Sequence, residues 1–330
     1  MSKERIVSGI RPTGPLHLGH YLGVLKKWVS LQDEYECFYF IADWHALTSE
    51  YKNPSIIEKS TKEIIITWLS VGIDPEKAVI FRQSDIKAHA EFFLLLSMIT
   101  PLGWLERNPT YKELKVELKG KDLGTFGFLG YPVLQAADIT IYHADKVPIG
   151  EDQLPHLELT REIVRKFNYT YGDKILKEPK EILTEGQKVA GLDGRKMSKS
   201  YNNAIWIAET PSSLREKVMQ MLTDVKRKTK KDPGEPHDCN LYPFHEYFTD
   251  INTRQEIKSA CRSAAMGCVE CKGMLINNIE KKLSPIWDKI EYYKTHMKTV
   301  DDILDRGADY AGREAEMTMQ RIRSAMGLRQ

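Results

Sequence analysis

The chain has 330 residues, enough for two domains that each bury a core, and its 42% hydrophobic and 28% charged content is ordinary for a soluble globular protein. No apolar run approaches the roughly 20 residues that span a bilayer, and the start Met1-Ser2-Lys3-Glu4-Arg5 lacks the apolar stretch of a signal peptide, so a cytoplasmic location is expected. A net charge of +2 does not by itself argue for nucleic acid, although a local basic patch can still bind it.

Residues 4–10 read as a short strand, ended by the turn Arg11-Pro12-Thr13-Gly14-Pro15. Leu18, Leu22, Leu25 and Val29 then recur at helical spacing, so a helix begins near His17. Cys37 to Ile41 is a continuous apolar run, the pattern of a buried parallel strand, and Cys37 is a small core residue within it. Asn53-Pro54 opens the next helix as cap and first-turn proline, and Gly72 closes it. Ala78 to Phe81 is a further buried strand, and the alternation argues for a parallel α/β sheet. Residues 86–165 read as mostly helical, interrupted at Pro101, Gly103, Gly120, Gly124, Gly127, Gly130 and Pro132, with one more strand ending at Val147. Residues 184–201 carry Gly186, Gly191, Asp193-Gly194 and three lysines, and read as an exposed loop. Helical patterns dominate from about 210, where Pro211-Ser212-Ser213 starts a helix and Glu314 to Met326 has helical period.

Two short motifs carry chemistry. His17-Leu18-Gly19-His20 lies at a strand–turn–helix junction, where free backbone N–H groups attract phosphate and Gly19 lets a ligand approach the backbone. His17 and His20 can donate to a phosphoryl group as charge builds on it; alternatively they are two surface histidines near a cap. Lys196-Met197-Ser198-Lys199-Ser200 supplies point charges for phosphate on a loop able to close and open, and alone it reads equally as a solvated basic loop. Asp138 follows Leu134 and two alanines and precedes Ile139, which implies apolar surroundings. An unpaired carboxylate there is costly, and either a donor-only partner such as an indole N–H or a nearby Lys or Tyr would satisfy it.

Together, in this order and about 180 residues apart, the two motifs are far more specific than either alone. They match the HIGH-type and KMSKS signatures, and the chain resembles a class I aminoacyl-tRNA synthetase. That resemblance implies a Rossmann-like parallel sheet with its site at the carboxyl ends of the strands, ATP as substrate with Mg²⁺, release of pyrophosphate, and transfer of an aminoacyl group to tRNA. Ser8-Gly9-Ile10-Arg11-Pro12-Thr13-Gly14, Asp43-Trp44-His45-Ala46-Leu47, Tyr131-Pro132-Val133-Leu134-Gln135-Ala136-Ala137-Asp138 and Pro148-Ile149-Gly150-Glu151-Asp152-Gln153, with His156 to Arg161 after them, are similar to the tryptophanyl branch of that family. The similarity runs from residue 5 to about 330.

The resemblance implies a tryptophan pocket lined by Val7, His45, Tyr131, Gln135, Asp138, Val147 and Gln153. Gln153 would hold the substrate ammonium and Asp138 would read the indole N–H, rejecting analogues that lack this donor by about 10⁴. Arg11, Pro12, Thr13, Gly19, His20, Gly150, Glu151, Asp152, Val189, Lys196, Met197, Ser198, Lys199 and Ser200 would contact ATP. His17, His20, Lys196 and Lys199 would carry catalysis by positioning and charge, with no protein nucleophile. Many relatives have Gln where Arg11 stands, and Thr or Asn in place of His17 and His20. The implied partners are L-tryptophan, tRNA(Trp) and a second copy of the chain. The implied domains are a catalytic one over 1–200, a helical anticodon-binding one over 201–310, and a last helix over 311–330 that packs back on the first. The rivals are a tyrosyl member of the family and a catalytically retired RNA-binding relative, against which the intact Gly19, Lys196 and Lys199 count.

Cys239, Cys261, Cys268 and Cys271 follow the spacing C-x21-C-x6-C-x2-C. Four soft thiolates suit zinc or an iron–sulfur cluster, and only one of the two C-x2-C knuckles usual in a zinc ribbon is present. The pattern is similar to that of tryptophanyl enzymes holding a 4Fe–4S cluster near the anticodon-binding region, with a first gap one residue shorter, which leaves Cys239 the least fixed ligand. An iron–sulfur cluster is ranked first, zinc second and free thiols third. Beside the cluster, Lys226, Arg227, Lys228, Lys230 and Lys231 form the densest basic run, suited to phosphate or simply solvated.

Overall fold

The computed structural model describes residues 3–109, 123–172, 174–183 and 189–329. The expected break at Gly120 and the start of the expected loop, 184–188, lie outside them. Five parallel strands, β1 (Arg5–Ile10), β2 (Glu36–Ile41), β3 (Ala78–Arg82), β4 (Lys146–Ile149) and β5 (Lys180–Leu183), form one sheet in the order β3-β2-β1-β4-β5. From β1 the chain winds outward through β2 to β3, then returns to the other side of β1 with β4. That reversal places a switch point at the carboxyl ends of β1 and β4, where doubly wound sheets bind ligands. β2 is apolar from Cys37 to Ile41 because it is covered on both faces, and Cys37 is fully buried.

β4 extends past Val147 through Pro148 to Ile149. β5 (Lys-Glu-Ile-Leu) had no apolar signature, because it is an edge strand and is largely exposed. The helix Ser55–Val71 ends at Gly72 in a left-handed conformation (φ 109°), with the Ile73 N–H donating to the Trp68 carbonyl at 3.0 Å. Its cap is Pro54, so the expected cap Asn53 lies one residue outside. Gly103 falls inside the helix Leu102–Arg107, and the expected breaks at Gly127, Gly130 and Pro132 fall inside Phe126–Thr140. A mid-helix proline costs roughly 3 kcal/mol, and burial of Pro132, Val133, Ala136 and Ala137 offsets it. Among the described glycines the tightest packing is on the long helix Met297–Ala325. A Cβ on Gly307 would stand 1.9 Å from the Ile80 carbonyl oxygen on β3, so only glycine admits this docking. Further along that helix Ala311, Ala315, Met319 and Ile322 join the core beneath the sheet.

By contact the chain forms two compact units: Met1–Gly14 with Trp28–Gly186 and His296–Gln330, and Pro15–Lys27 with Gln187–Thr295. The division is not a single cut near residue 200. Pro15–Lys27 joins the second unit because His17 bridges Trp206, Leu18 N–H donates to the Ile205 carbonyl, and Ile207 N–H donates to that of Leu16. The second unit is otherwise mainly helical, with Pro211–Gln220, Tyr242–Phe248, Ile251–Arg262 and Cys268–Thr295. Among the described residues no helix is long and apolar enough to cross a membrane.

Candidate active site

In the sheet unit, the helix Phe126–Thr140 presents Tyr131, Gln135 and Asp138 at i, i+4 and i+7, along one face. Asp138 is 1% exposed. Its Oδ1 accepts from Gln83 Nε2 at 2.8 Å and from His89 Nδ1 at 2.6 Å; its Oδ2 accepts from His45 Nε2 at 2.8 Å and from Gln83 Nε2 at 2.9 Å. The roughly four acceptor directions of a carboxylate are thus all occupied. Burial alone would raise its pKa, but the hydrogen bonds from His45 and His89 hold it below the usual carboxylate value. The anticipated Lys or Tyr partner is absent from this set; two histidines and a glutamine fill it.

A second buried chain runs beside it. Tyr131 Oη pairs with His156 Nε2 at 2.8 Å, and His156 Nδ1 lies 3.3 Å from Asn108 Nδ2. Burial, then His45, pushes His156 down to about 4, so its ring is neutral at pH 7. Val7 on β1 and Val147 on β4 are buried in the core of this unit. Gln135 and Gln153 are half-buried, and Gln153 ends the 3₁₀ turn Glu151–Gln153 that follows β4. Arg11, Pro12 and Thr13 follow β1, with the Thr13 N–H donating to the Arg11 carbonyl at 2.9 Å. Gly150 lies directly beneath the Asp152 carboxylate, where a Cβ would stand 2.6 Å from Oδ1. The sets 11–13 and 150–152 therefore both sit at the carboxyl-end switch point.

In the other unit, the two signature motifs adjoin. His17 caps the helical segment that begins at Leu18, its Nδ1 accepting from the Gly19 N–H at 3.1 Å. His20 Nδ1 accepts in return from the His17 N–H at 3.2 Å, a capping box made of two imidazoles. Burial, then Lys199 and Lys196, pushes His17 down to about 4, and His20 is held well below its ordinary value by burial, His17 and the same lysines. Both rings are neutral at pH 7. With each Nδ1 accepting, each proton resides on Nε2, which leaves an N–H donor for a phosphoryl oxygen.

The lysine motif is more ordered than an exposed loop. Ala190 pairs with Lys196 across a turn in which Gly194 has φ 83°. Val189 and Met197 are buried, and Lys196 and Ser200 are exposed. Asn203 ties the turn together: its Oδ1 accepts from the Ser198 N–H at 2.8 Å, and its Nδ2 donates to Asp193 at 2.7 Å and to the Lys196 carbonyl at 3.2 Å. Ser198 caps the short turn Lys199–Tyr201.

A family model for class I tRNA synthetases (W and Y) matches residues 2–284. The tryptophan–tRNA ligase of Thermotoga maritima is 49% identical, over 98% of this chain and 99% of the relative, and that of Ralstonia nicotianae is 43% identical, over 99% of each. The chain belongs to the class I tryptophan–tRNA ligases. A crystal structure of the Campylobacter jejuni tryptophanyl-tRNA synthetase, complexed with ADP and tryptophan, superimposes with a TM-score of 0.91 at 33% identity, covering 98% of this chain and 100% of that one.

Three buried residues escaped the sequence reading of this family member: Gln83, His89 and Tyr142. The only available signal was position, since Gln83 directly follows the carboxyl end of β3. The late cysteines come from three neighbouring pieces of the second unit. Cys239 follows the turn Pro236–Asp238, Cys261 lies at the end of Ile251–Arg262, and Cys268 and Cys271 lie in the first turn of Cys268–Thr295. Burial and then the other three thiols push Cys271 up to about 12. Cys271 Sγ lies 3.3 Å from His245 Nε2, and a Cβ on Gly234 would stand 2.7 Å from Cys261 Sγ. Among the described residues no group of three or more His, Cys, Asp or Glu side chains is arranged to hold a metal ion. In the basic run, Lys226 pairs with Asp238 at 2.5 Å and Arg227 donates to the carbonyls of Lys230 and Met266, whereas Lys228, Lys230 and Lys231 are exposed.

Proposed function

We propose that the protein joins L-tryptophan to tRNA(Trp) in two steps. A carboxylate oxygen of tryptophan attacks the α-phosphorus of ATP, the bond to the pyrophosphate oxygen breaks, and pyrophosphate leaves with tryptophanyl-adenylate formed. A terminal ribose hydroxyl of tRNA then attacks the tryptophanyl carbonyl and AMP leaves. Mg²⁺ bound with ATP would neutralise phosphate charge. The observation that carries the amino-acid assignment is the buried Asp138. Of its donors, Gln83 and His89 are 0% exposed while His45 is 7% exposed, so the indole N–H would take the Oδ2 position that His45 holds. Tyr131, Gln135, Val7 and Val147 would flank the ring, and Gln153 would take the ammonium. The ATP contacts proposed are Arg11, Pro12, Thr13, Gly150, Glu151 and Asp152 in the sheet unit, and Gly19, His20, Val189 and Lys196 to Ser200 in the other. There the Nε2–H groups of His17 and His20, with Lys196 and Lys199, would stabilise charge on the phosphoryl oxygens. Pyrophosphate exchange measured with each amino acid in turn tests the assignment: exchange with tryptophan and none with tyrosine is expected, and the reverse overturns it.

The four late cysteines would hold a 4Fe–4S cluster in an anticodon-binding region spanning 201–310. Four soft thiols with only one of the two C-x2-C knuckles of a zinc ribbon suit a cluster that offers each its own iron better than a single zinc. Brown colour and visible charge-transfer absorbance in anaerobically purified protein are expected; a colourless, zinc-loaded preparation overturns the reading. Exposed Lys228, Lys230 and Lys231 would contact tRNA phosphates. A cytoplasmic homodimer is proposed as well, supported by the exposure of the apolar side chains Leu94, Met98, Leu102 and Phe126 on the sheet unit. Sedimentation of the wild-type protein as a monomer at micromolar concentration would count against the dimer.

A further inference from the structure

We propose that Tyr142, His89 and Gln83 are positioning residues that set Asp138 as an oriented acceptor for the substrate's indole N–H. The proposal rests on the reading of Asp138 given above, and it follows the hydrogen atoms outward from the carboxylate. An ionised carboxylate only accepts, so the His89 Nδ1 facing Oδ1 at 2.6 Å must carry a proton. On the far side of that ring, Tyr142 Oη lies 2.6 Å from Nε2. Burial, and then the charge of Asp138, raise Tyr142 far above its ordinary value, so the phenol keeps its proton and donates it to Nε2. One tautomer of His89 satisfies both contacts: the carboxylate requires the proton on Nδ1, and the Tyr142 hydroxyl stabilises that form by donating to the Nε2 lone pair. Without that hydroxyl the Nε2 lone pair is buried with no donor, and the Nδ1–H form that the carboxylate needs loses its support.

Gln83 fixes the other coordinate. Its Oε1 accepts from the Trp44 N–H at 3.2 Å, which orients the amide so that Nε2 faces Asp138 and spans both oxygens at 2.8 and 2.9 Å. The His89 ring is wedged among Phe40, Phe81 and Tyr142, with centroids 6.2, 6.3 and 5.4 Å away, so it has little room to turn. Two donors are thereby permanent, and the third, His45, is the one that substrate replaces. The arrangement follows the logic by which a buried partner holds a catalytic histidine in one tautomer, applied here to recognition.

The test compares pyrophosphate exchange for L-tryptophan and for 3-(benzothiophen-3-yl)alanine, an isostere without the N–H. The wild-type enzyme should strongly prefer tryptophan; equal use of both would sink the Asp138 reading itself. Tyr142→Phe should raise KM for tryptophan about tenfold, the worth of one hydrogen bond, with kcat little changed and the analogue's kcat/KM unaltered. Gln83→Met should reduce the same preference, whereas His89→Asn, which keeps a donor near the Nδ1 position, should retain most of it. If Tyr142→Phe and Gln83→Met leave the preference intact, or harm both substrates equally, the residues are merely structural and the proposal fails. Should the variants not fold, ¹⁵N spectra of histidine-labelled wild-type protein decide: Nδ1–H at His89 supports the relay, and Nε2–H overturns it.

Discussion

Histidines stand at both chemical centres of this protein, beside neighbours of opposite charge. In the sheet unit, His45 and His89 face the buried carboxylate of Asp138 and act as donors toward it. In the second unit, His17 and His20 lie near Lys196 and Lys199, are pushed neutral, and accept backbone N–H bonds through Nδ1. Each ring has one donor and one acceptor, and the group facing its Nδ1, a carboxylate at His89 and a backbone N–H at His17, decides which nitrogen carries the proton. The carboxylate centre is buried and internally satisfied, so a change there should disturb stability as well as any ligand it contacts. The lysine centre is partly exposed, so its charges can meet a triphosphate without a large folding cost.

The largest expected effect separates the two. Asp138→Asn places an amide where two histidines and a glutamine donate, leaving buried donors unmatched. It should lower kcat/KM for tryptophan by about 10³ or more and stability by about 3 kcal/mol, read by pyrophosphate exchange and urea unfolding. Lys199→Ala, by contrast, should cut kcat by about 10² to 10³ while equilibrium tryptophan binding and the unfolding midpoint stay put. A variant with a large stability loss would erase the contrast. Smaller again is Gly307→Ala, outside both centres: its methyl meets the Ile80 carbonyl, so unfolding free energy should fall by about 1–3 kcal/mol with the preference for tryptophan over its N–H-less isostere unchanged.

The gentlest probe is pH. His17 and His156 have folded values lowered to about 4 from 6.5. Between those values the unfolded chain binds protons that the folded chain does not, so stability should decline as pH falls from 6.5 toward 4 and be flat with respect to these groups above 7. Asp138, held below the usual carboxylate value, adds its loss only at lower pH. Unfolding midpoints measured across this range check the sign; a rise in stability on acidification would refute the assigned neutral histidines. His17→Asn should remove part of the slope.

The buried strands were legible because β2 and β3 are covered on both faces and their sequences are continuously apolar. β5 was not, since an edge strand of Lys-Glu-Ile-Leu carries no such signal. Gly127, Gly130 and Pro132 looked like helix breaks and lie within a helix, because burial of the surrounding side chains outweighs local propensity. The two signature motifs were readable as marks of the family, each being a short local pattern, and Asp138 was readable as a carboxylate in apolar surroundings, which the structure buries. Gln83, His89 and Tyr142 were not. Gln83 and His89 stand 55 and 49 positions from Asp138 in the chain, and Tyr142 stands 53 from the histidine it orients.

By itself, the order of residues determined the strand–helix alternation, the helix starting at His17, the stop at Gly72 and the residue types able to handle phosphate. These depend on patterns a few residues long, which local sterics and periodicity translate directly. Only the tertiary structure decided which groups face Asp138, that Pro15–Lys27 pairs with the segment around Trp206, and that Gly307 must be glycine. Each of those depends on surfaces brought together across tens to hundreds of residues, and no local pattern encodes which surface will be opposite.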